Sequence, residues 1–141
     1  MTKVYPYITF NGNCEEAFNH YRSVFGGEFQ YLGRFKDVPA ADSQAFKPGN
    51  DDKIMHVSLP INDTMLMGCD NPDVNGKEVI VGGNISLSIN LNDKIEAKRL
   101  FDGLSIGGEI KMPLEATFWG AYFGIVTDRF GLQWLINCEN Q

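Results

Sequence analysis

Two periods of hydrophobic and polar residues alternate along this chain, and they do so twice in the same order. Ile85-Ser86-Leu87-Ser88-Ile89-Asn90-Leu91 puts every apolar side chain on one side of an extended backbone and every polar one on the other, which predicts a half-buried strand. The period then lengthens. Ala97, Leu100, Phe101 and Leu104 recur at the spacing of a helical stripe, with Asp93 placed to cap and Glu96 three residues on. The first half has the same anatomy. Val4–Phe10 is aromatic and β-branched, a strand composition. Asn13 and Glu16 sit at capping-box spacing, and Cys14, Ala17, Phe18, Tyr21, Val24 and Phe25 form one apolar stripe.

The repeat is visible in the residues themselves. Phe25-Gly26-Gly27-Glu28-Phe29 is echoed by Ile106-Gly107-Gly108-Glu109-Ile110, each glycine pair supplying a helix stop. Three further strands are predicted after each helix. They are 28–35, 53–60 and 64–69 in the first half, and 109–114, 119–127 and 132–138 in the second. The plan is an α+β fold of two βαβββ units, with unit one over 1–71, a linker at 72–83 marked by Pro72, Asn75-Gly76 and Gly82-Gly83, and unit two over 84–141. The polar stretch from Lys36 to Asp52 has only a short counterpart in unit two. Its length makes it a candidate lid or binding loop, or else an ordinary surface excursion.

Composition narrows the function. At 141 residues, with 43% apolar and 21% charged residues, the chain matches one globular domain. A net charge of −6 and the lack of a basic run argue against a nucleic-acid partner. No basic start leads into an apolar leader segment, and no apolar run is long enough to span a membrane. Three cysteines, Cys14, Cys69 and Cys138, with no CxxC pair, suggest small buried side chains in a reduced, cytoplasmic protein. Two histidines lie in unrelated positions. His20 is off the apolar stripe and is expected to be exposed; His56 sits in the third strand.

Paired βαβββ units resemble the vicinal-oxygen-chelate superfamily, the glyoxalase/bleomycin-resistance/dioxygenase fold. Tyr5-Pro6-Tyr7 with Phe10–Ala17, Phe25-Gly26-Gly27, Ile54–Leu59, Thr117–Gly124 and Asp128–Trp134 are similar to the PhnB-like family, also labelled 3-demethylubiquinone-9 3-methyltransferase-like. The methyltransferase activity in that label is not carried over. A Rossmann-type cofactor site needs a glycine-rich strand-to-helix turn, and the glycine pairs here precede strands. The resemblance implies a homodimer. In metal-using members of the superfamily it also implies a divalent ion held by His, Gln and Glu from four strands. Those four positions fall here on Pro6, Met67, Asn84 and Leu135. Pro and Leu offer no side-chain donor, and Asn and Met suit a hard ion poorly. No metal site and no cofactor are expected.

If the superfamily's cup faces Asn84, then Ser86 and Ser88 share that face, with Gln133, Leu135 and Asn137 on the last strand. Trp119 and Tyr122 are candidates for its wall, and His56 could add a group titrating near neutral pH. Trp119 and Trp134 are alternatively core residues, His56 a hydrogen-bonded strand residue and Asn84 a strand-end cap. The candidate pocket is therefore His56, Asn84, Ser86, Trp119, Tyr122, Gln133 and Leu135, uncharged and aromatic-walled. Such a pocket suits a small-molecule-binding protein. The alternative is a small lyase, isomerase or dioxygenase with a non-standard site in the same cup.

Overall fold

The computed structural model describes residues 1–38, 50–72 and 77–139, and the chain divides into two units, Met1–Ile80 and Val81–Gln141. In the first, strand β1 (Tyr7–Phe10) leads into helix α1 (Cys14–Phe25), then β2 (Tyr31–Arg34), β3 (Ile54–Ile61) and β4 (Thr64–Asp70). In the second, β5 (Ser86–Leu91) leads into α2 (Lys94–Ser105), then β6 (Glu109–Ala116), β7 (Ala121–Thr127) and β8 (Gln133–Glu139). Both sheets have the same plan, β1-β4-β3-β2 and β5-β8-β7-β6, with one parallel pair and two antiparallel pairs. The α+β fold of two βαβββ units is as the periodicity predicts. Most of the Lys36–Asp52 loop lies outside the described residues.

Each helix covers one sheet face with its apolar stripe. Cys14, Ala17, Phe18, Tyr21 and Val24 are buried on α1, and Ala97, Leu100, Phe101 and Leu104 on α2. Each sheet has a strand glycine under a helix phenylalanine. A Cβ on Gly68 would stand 2.8 Å from the Phe18 ring, and one on Gly124 2.7 Å from that of Phe101. Glycine in a strand marks such close approaches. His20 departs from expectation. It is half-buried and lies beside Tyr21, with ring centroids 6.0 Å apart.

The two helix starts differ in a way that residue spacing does not reveal. Asp93 caps α2 locally, accepting from Ile95 N at 3.0 Å and Glu96 N at 3.3 Å. Asn13 precedes α1 but makes no side-chain cap. Asp70, at the end of β4, takes that role. Its Oδ1 accepts from Gly12 N at 3.0 Å and Cys14 N at 2.9 Å, and its Oδ2 from Ile54 N at 2.9 Å. Burial, and then the Asp70 carboxylate, push the Cys14 thiol above its usual range, so that thiol stays protonated at neutral pH.

Glu15 in the first turn of α1 accepts a two-pronged bond from Arg34, Nη1 at 2.9 Å and Nη2 at 2.7 Å. This bond holds the Glu15 carboxyl below its ordinary value. A depressed carboxyl adds stability above its unfolded pKa, and that stability is lost as pH falls through the folded one. Glu15→Gln should therefore lower urea-unfolding stability at pH 7, by less than about 1 kcal/mol because the pair is partly exposed, and flatten the acid-side decline below about pH 4.5 by the same amount. An unchanged acid limb would show that the pair contributes nothing to folding.

Candidate functional site

Pairing register sorts the sheet residues onto two faces, one under the helix and one open. In unit two, Ser86 lies opposite Gln133, Ser88 opposite Leu135 and Asn90 opposite Asn137. Thr127, Ile125 and Phe123 continue those rows on β7. Leu87, Trp134 and Val126 belong to the other row; Trp134 is buried and donates its indole N–H to Asp128 Oδ2 at 2.8 Å. The open face is thus bare of charge in its middle and rich in amides and hydroxyls. Asn90 Nδ2 donates to Ser88 Oγ at 3.1 Å and Asn137 Nδ2 to Asn90 Oδ1 at 3.5 Å. Gln133 Nε2 donates to Gly83 O at 2.5 Å, fixing that side chain against the segment ahead of β5. Asn84 precedes β5 in an exposed bend, outside the strand.

Trp119 stands in the turn between β6 and β7. Thr117 closes this turn by accepting from Gly120 N at 3.2 Å and donating from its own N to Ala121 O at 2.9 Å. Gly120, at φ +91°, takes the left-handed conformation a side chain would resist. The turn leaves Trp119 52% and Phe118 98% exposed. Their rings meet edge to face at 5.0 Å, and Trp119 meets Phe123 on the open face at 5.7 Å. Of the two tryptophans, Trp134 is core and Trp119 is a surface aromatic. Tyr122 goes the other way. It is paired with buried Cys138, and Lys94 of α2 places its Nζ 5.4 Å from the ring centroid, so it lies on the helix side, away from Ser86, Gln133 and Leu135. Strand alternation starts at Ala121 and not at Trp119, which is why neighbouring aromatics separate.

In unit one the open face carries His56. Its Nδ1 is 3.2 Å from Tyr7 Oη. Its ring lies 5.5 Å from that of Tyr7 at 29° and 5.8 Å from that of Tyr31 at 41°. Tyr7 reaches His56 across β4, where its phenol also bonds Cys69. Cys69 Sγ is in turn 3.8 Å from Thr9 Oγ1. Partial burial, and then the Cys69 contact, hold the Tyr7 phenol above its usual range, so it remains a neutral hydroxyl. Sequence reasoning singled out His56 but missed Tyr7, Tyr31 and Cys69. The available signal was Tyr31-Leu32-Gly33, an aromatic and a glycine two apart on one strand face.

The positions at which the superfamily resemblance implies metal ligands can be tested against this arrangement. Met67 is on the open face of the first sheet, opposite Tyr7, and Leu135 on that of the second, opposite Ser88. Pro6 and Asn84 precede their strands. A thioether, an isobutyl group, a pyrrolidine ring and an amide do not make a hard-ion site. Among the described residues no three His, Cys, Asp or Glu side chains group as a metal set. These residues do not fit the implied metal. Also among the described residues, no helix is long and apolar enough to cross a membrane.

Known proteins match nearly the whole chain. The family model for 3-demethylubiquinone-9 3-methyltransferase matches residues 2–137. Protein YjdN of Escherichia coli (strain K12) is 35% identical over 96% of this chain and 95% of its own. The crystal structure of protein PA1353 from Pseudomonas aeruginosa shares 40% identity, covers both chains fully and superposes with a TM-score of 0.85. The PhnB protein of Bacillus cereus shares 24% identity over 97% of this chain and 99% of that one, at a TM-score of 0.78. A glyoxalase-related enzyme from Fulvimarina pelagi, 19% identical over 99% of this chain and 89% of its own, has the same fold at a TM-score of 0.64. The chain belongs to the 3-demethylubiquinone-9 3-methyltransferase family and has the glyoxalase/bleomycin-resistance/dioxygenase fold.

Proposed function

We propose that this chain is a small-molecule-binding protein that takes its ligand without a glyoxalase-type metal. The observation that carries the reading is the open face of the second sheet, where uncharged Ser86, Gln133 and Asn137 stand with Leu135 beside the half-exposed Trp119. Amides and hydroxyls fix orientation by hydrogen bonds, and an exposed aromatic supplies contact area at little entropic cost. An amide is neither base nor nucleophile, and a serine hydroxyl becomes a nucleophile only beside a base, so the face suits holding a molecule better than transforming it. The imidazole of His56 in unit one is the group available to the alternative, a small lyase, isomerase or dioxygenase.

The methyltransferase in the family's name finds no support in the strand-to-helix connections. The β1–α1 turn has one glycine, Gly12, and its N–H is already given to Asp70. The β5–α2 turn, Asn92-Asp93, has none. Titration with S-adenosylmethionine is expected to give no saturable binding.

A thermal-shift screen tests the proposal. At least one neutral compound should raise the melting temperature, as a ligand at a hundred times its Kd adds about 2.7 kcal/mol. Trp119→Ala should itself cost less than about 1 kcal/mol, as the side chain is half exposed, yet abolish most of the ligand-induced shift. No stabilising compound, or an undiminished shift in the variant, would count against the reading. One divalent metal per purified chain by elemental analysis would favour the enzyme alternative.

A further inference from the structure

We propose that Tyr7, His56 and Tyr31, on the open face of the first sheet, form a floor for a planar aromatic compound that carries an O–H or N–H donor on its edge, with Nε2 of His56 accepting that donor. The inference rests on the reading of the chain as a small-molecule-binding protein and adds a site and a ligand class to it.

Three aromatic rings gather on this face of the sheet, Tyr7 stacked with His56 and Tyr31 tilted to it. Tyr7 starts on β1, His56 stands on β3 and Tyr31 starts on β2, and the tyrosines tilt from the imidazole by 29° and 41°. Both tyrosines are 48% exposed, so the floor is open to a ligand. Gly33 makes the arrangement possible. It sits opposite His56 in the β2–β3 register, and a Cβ there would stand 2.5 Å from Tyr31 Oη and 2.9 Å from its ring carbons. Tyr31 therefore lies flat over the glycine and toward the imidazole. Exposed aromatic rings bind planar π-systems by offset stacking in preference to puckered ones.

The edge chemistry follows from the hydrogen bonds. Tyr7 Oη contacts both His56 Nδ1 and the Cys69 thiol. In the tautomer we assign, the phenol proton turns to the sulfur, Nδ1–H donates to Oη and Nε2 carries the lone pair. Nε2 has no hydrogen-bond partner among the described residues. Thr9, Met67 and Ser58 complete this part of the face and bring no charge, which suits a neutral ligand.

The full-length chain can be titrated with 2-naphthol, 2-methoxynaphthalene and decahydro-2-naphthol while the His56 ring and the backbone amides are followed by NMR. The expected result is saturable binding of 2-naphthol with shifts centred on His56, and roughly fivefold weaker binding of the methoxy compound, which lacks the donor. The saturated alcohol should bind at least tenfold more weakly. Tyr31→Ala should weaken 2-naphthol binding roughly tenfold. Gly33→Ala, which displaces the Tyr31 ring without removing it, should weaken it several-fold; Tyr31→Ala leaves the test intact if that variant misfolds. Equal binding of the three compounds, or no binding of 2-naphthol, overturns the proposal. Shifts confined to Ser86, Gln133 and Asn137 would overturn it too, while leaving the binding reading of the second sheet standing.

Discussion

Asp70→Ala is expected to cost roughly 3–5 kcal/mol in urea unfolding, because it leaves three donors without a partner, each at the lower end of the about 1–3 kcal/mol that a buried unpaired donor costs. The residue is 1% exposed, and its two oxygens accept the backbone N–H groups of Gly12, Cys14 and Ile54. One carboxylate thereby joins the start of α1, the β1–α1 turn and the start of β3 to the end of β4. Removing it strands one of the orphan donors that every helix start presents, Cys14 N, together with the N–H groups of Gly12 and Ile54. Asp70→Asn should fall between wild type and Ala, since an amide keeps one acceptor but turns an N–H₂ toward a donor. Hydrogen exchange gives a local readout, as the Ile54 amide should lose protection first. A midpoint unchanged to within about 0.5 kcal/mol would mean that water replaces the carboxylate at no cost.

Phe18→Ala is expected to cost about 3–5 kcal/mol, the usual range for truncating a buried phenylalanine. Phe18 is fully buried and meets Phe10 at 6.0 Å, Tyr21 at 5.7 Å and Phe29 at 6.5 Å, all edge to face. It also lies on Gly68, where no side chain can follow it into the space vacated. The cavity would therefore collapse poorly, and cost depends on collapse. Gly68→Ala tests the same contact from the other side. Its Cβ would stand 2.7 Å from Ile8 O and 2.8 Å from the Phe18 ring, so it too should destabilise, and the double variant should recover part of the loss because the methyl enters the cavity. Additive losses would show that the two positions do not share one packing contact.

Much of the architecture could be read from local patterns because each pattern has a local cause. Alternation in 85–91 and the stripe of Ala97, Leu100, Phe101 and Leu104 reflect which side chains can reach a core from a strand or a helix, and both elements stand within a residue of expectation. The end strands of the first sheet, β1 and β2, are shorter than predicted, while β6 of the second runs two residues longer. Residues 4–6 stay outside β1, where Pro6 has no N–H to offer a ladder. The candidate site was legible only in part. Ser86, Gln133 and Leu135 share a face because their parity is counted along unbroken strands. Tyr122 does not join them, since the count on β7 begins after the Gly120 turn.

Sequence alone determined the order of elements, the repeat, the apolar faces of both helices and the unsuitability of Pro6, Met67, Asn84 and Leu135 as metal ligands. These depend on residue type and near-neighbour spacing, which the chain carries explicitly. Only the tertiary structure decided that Asp70 and not Asn13 caps α1, that Trp119 is exposed while Trp134 is core, and that Tyr7 and Tyr31 flank His56. Those three outcomes depend on which strands pair and in what register. Pairing brings together residues such as Cys14 and Asp70 that lie 56 positions apart, and no local period encodes a contact of that span.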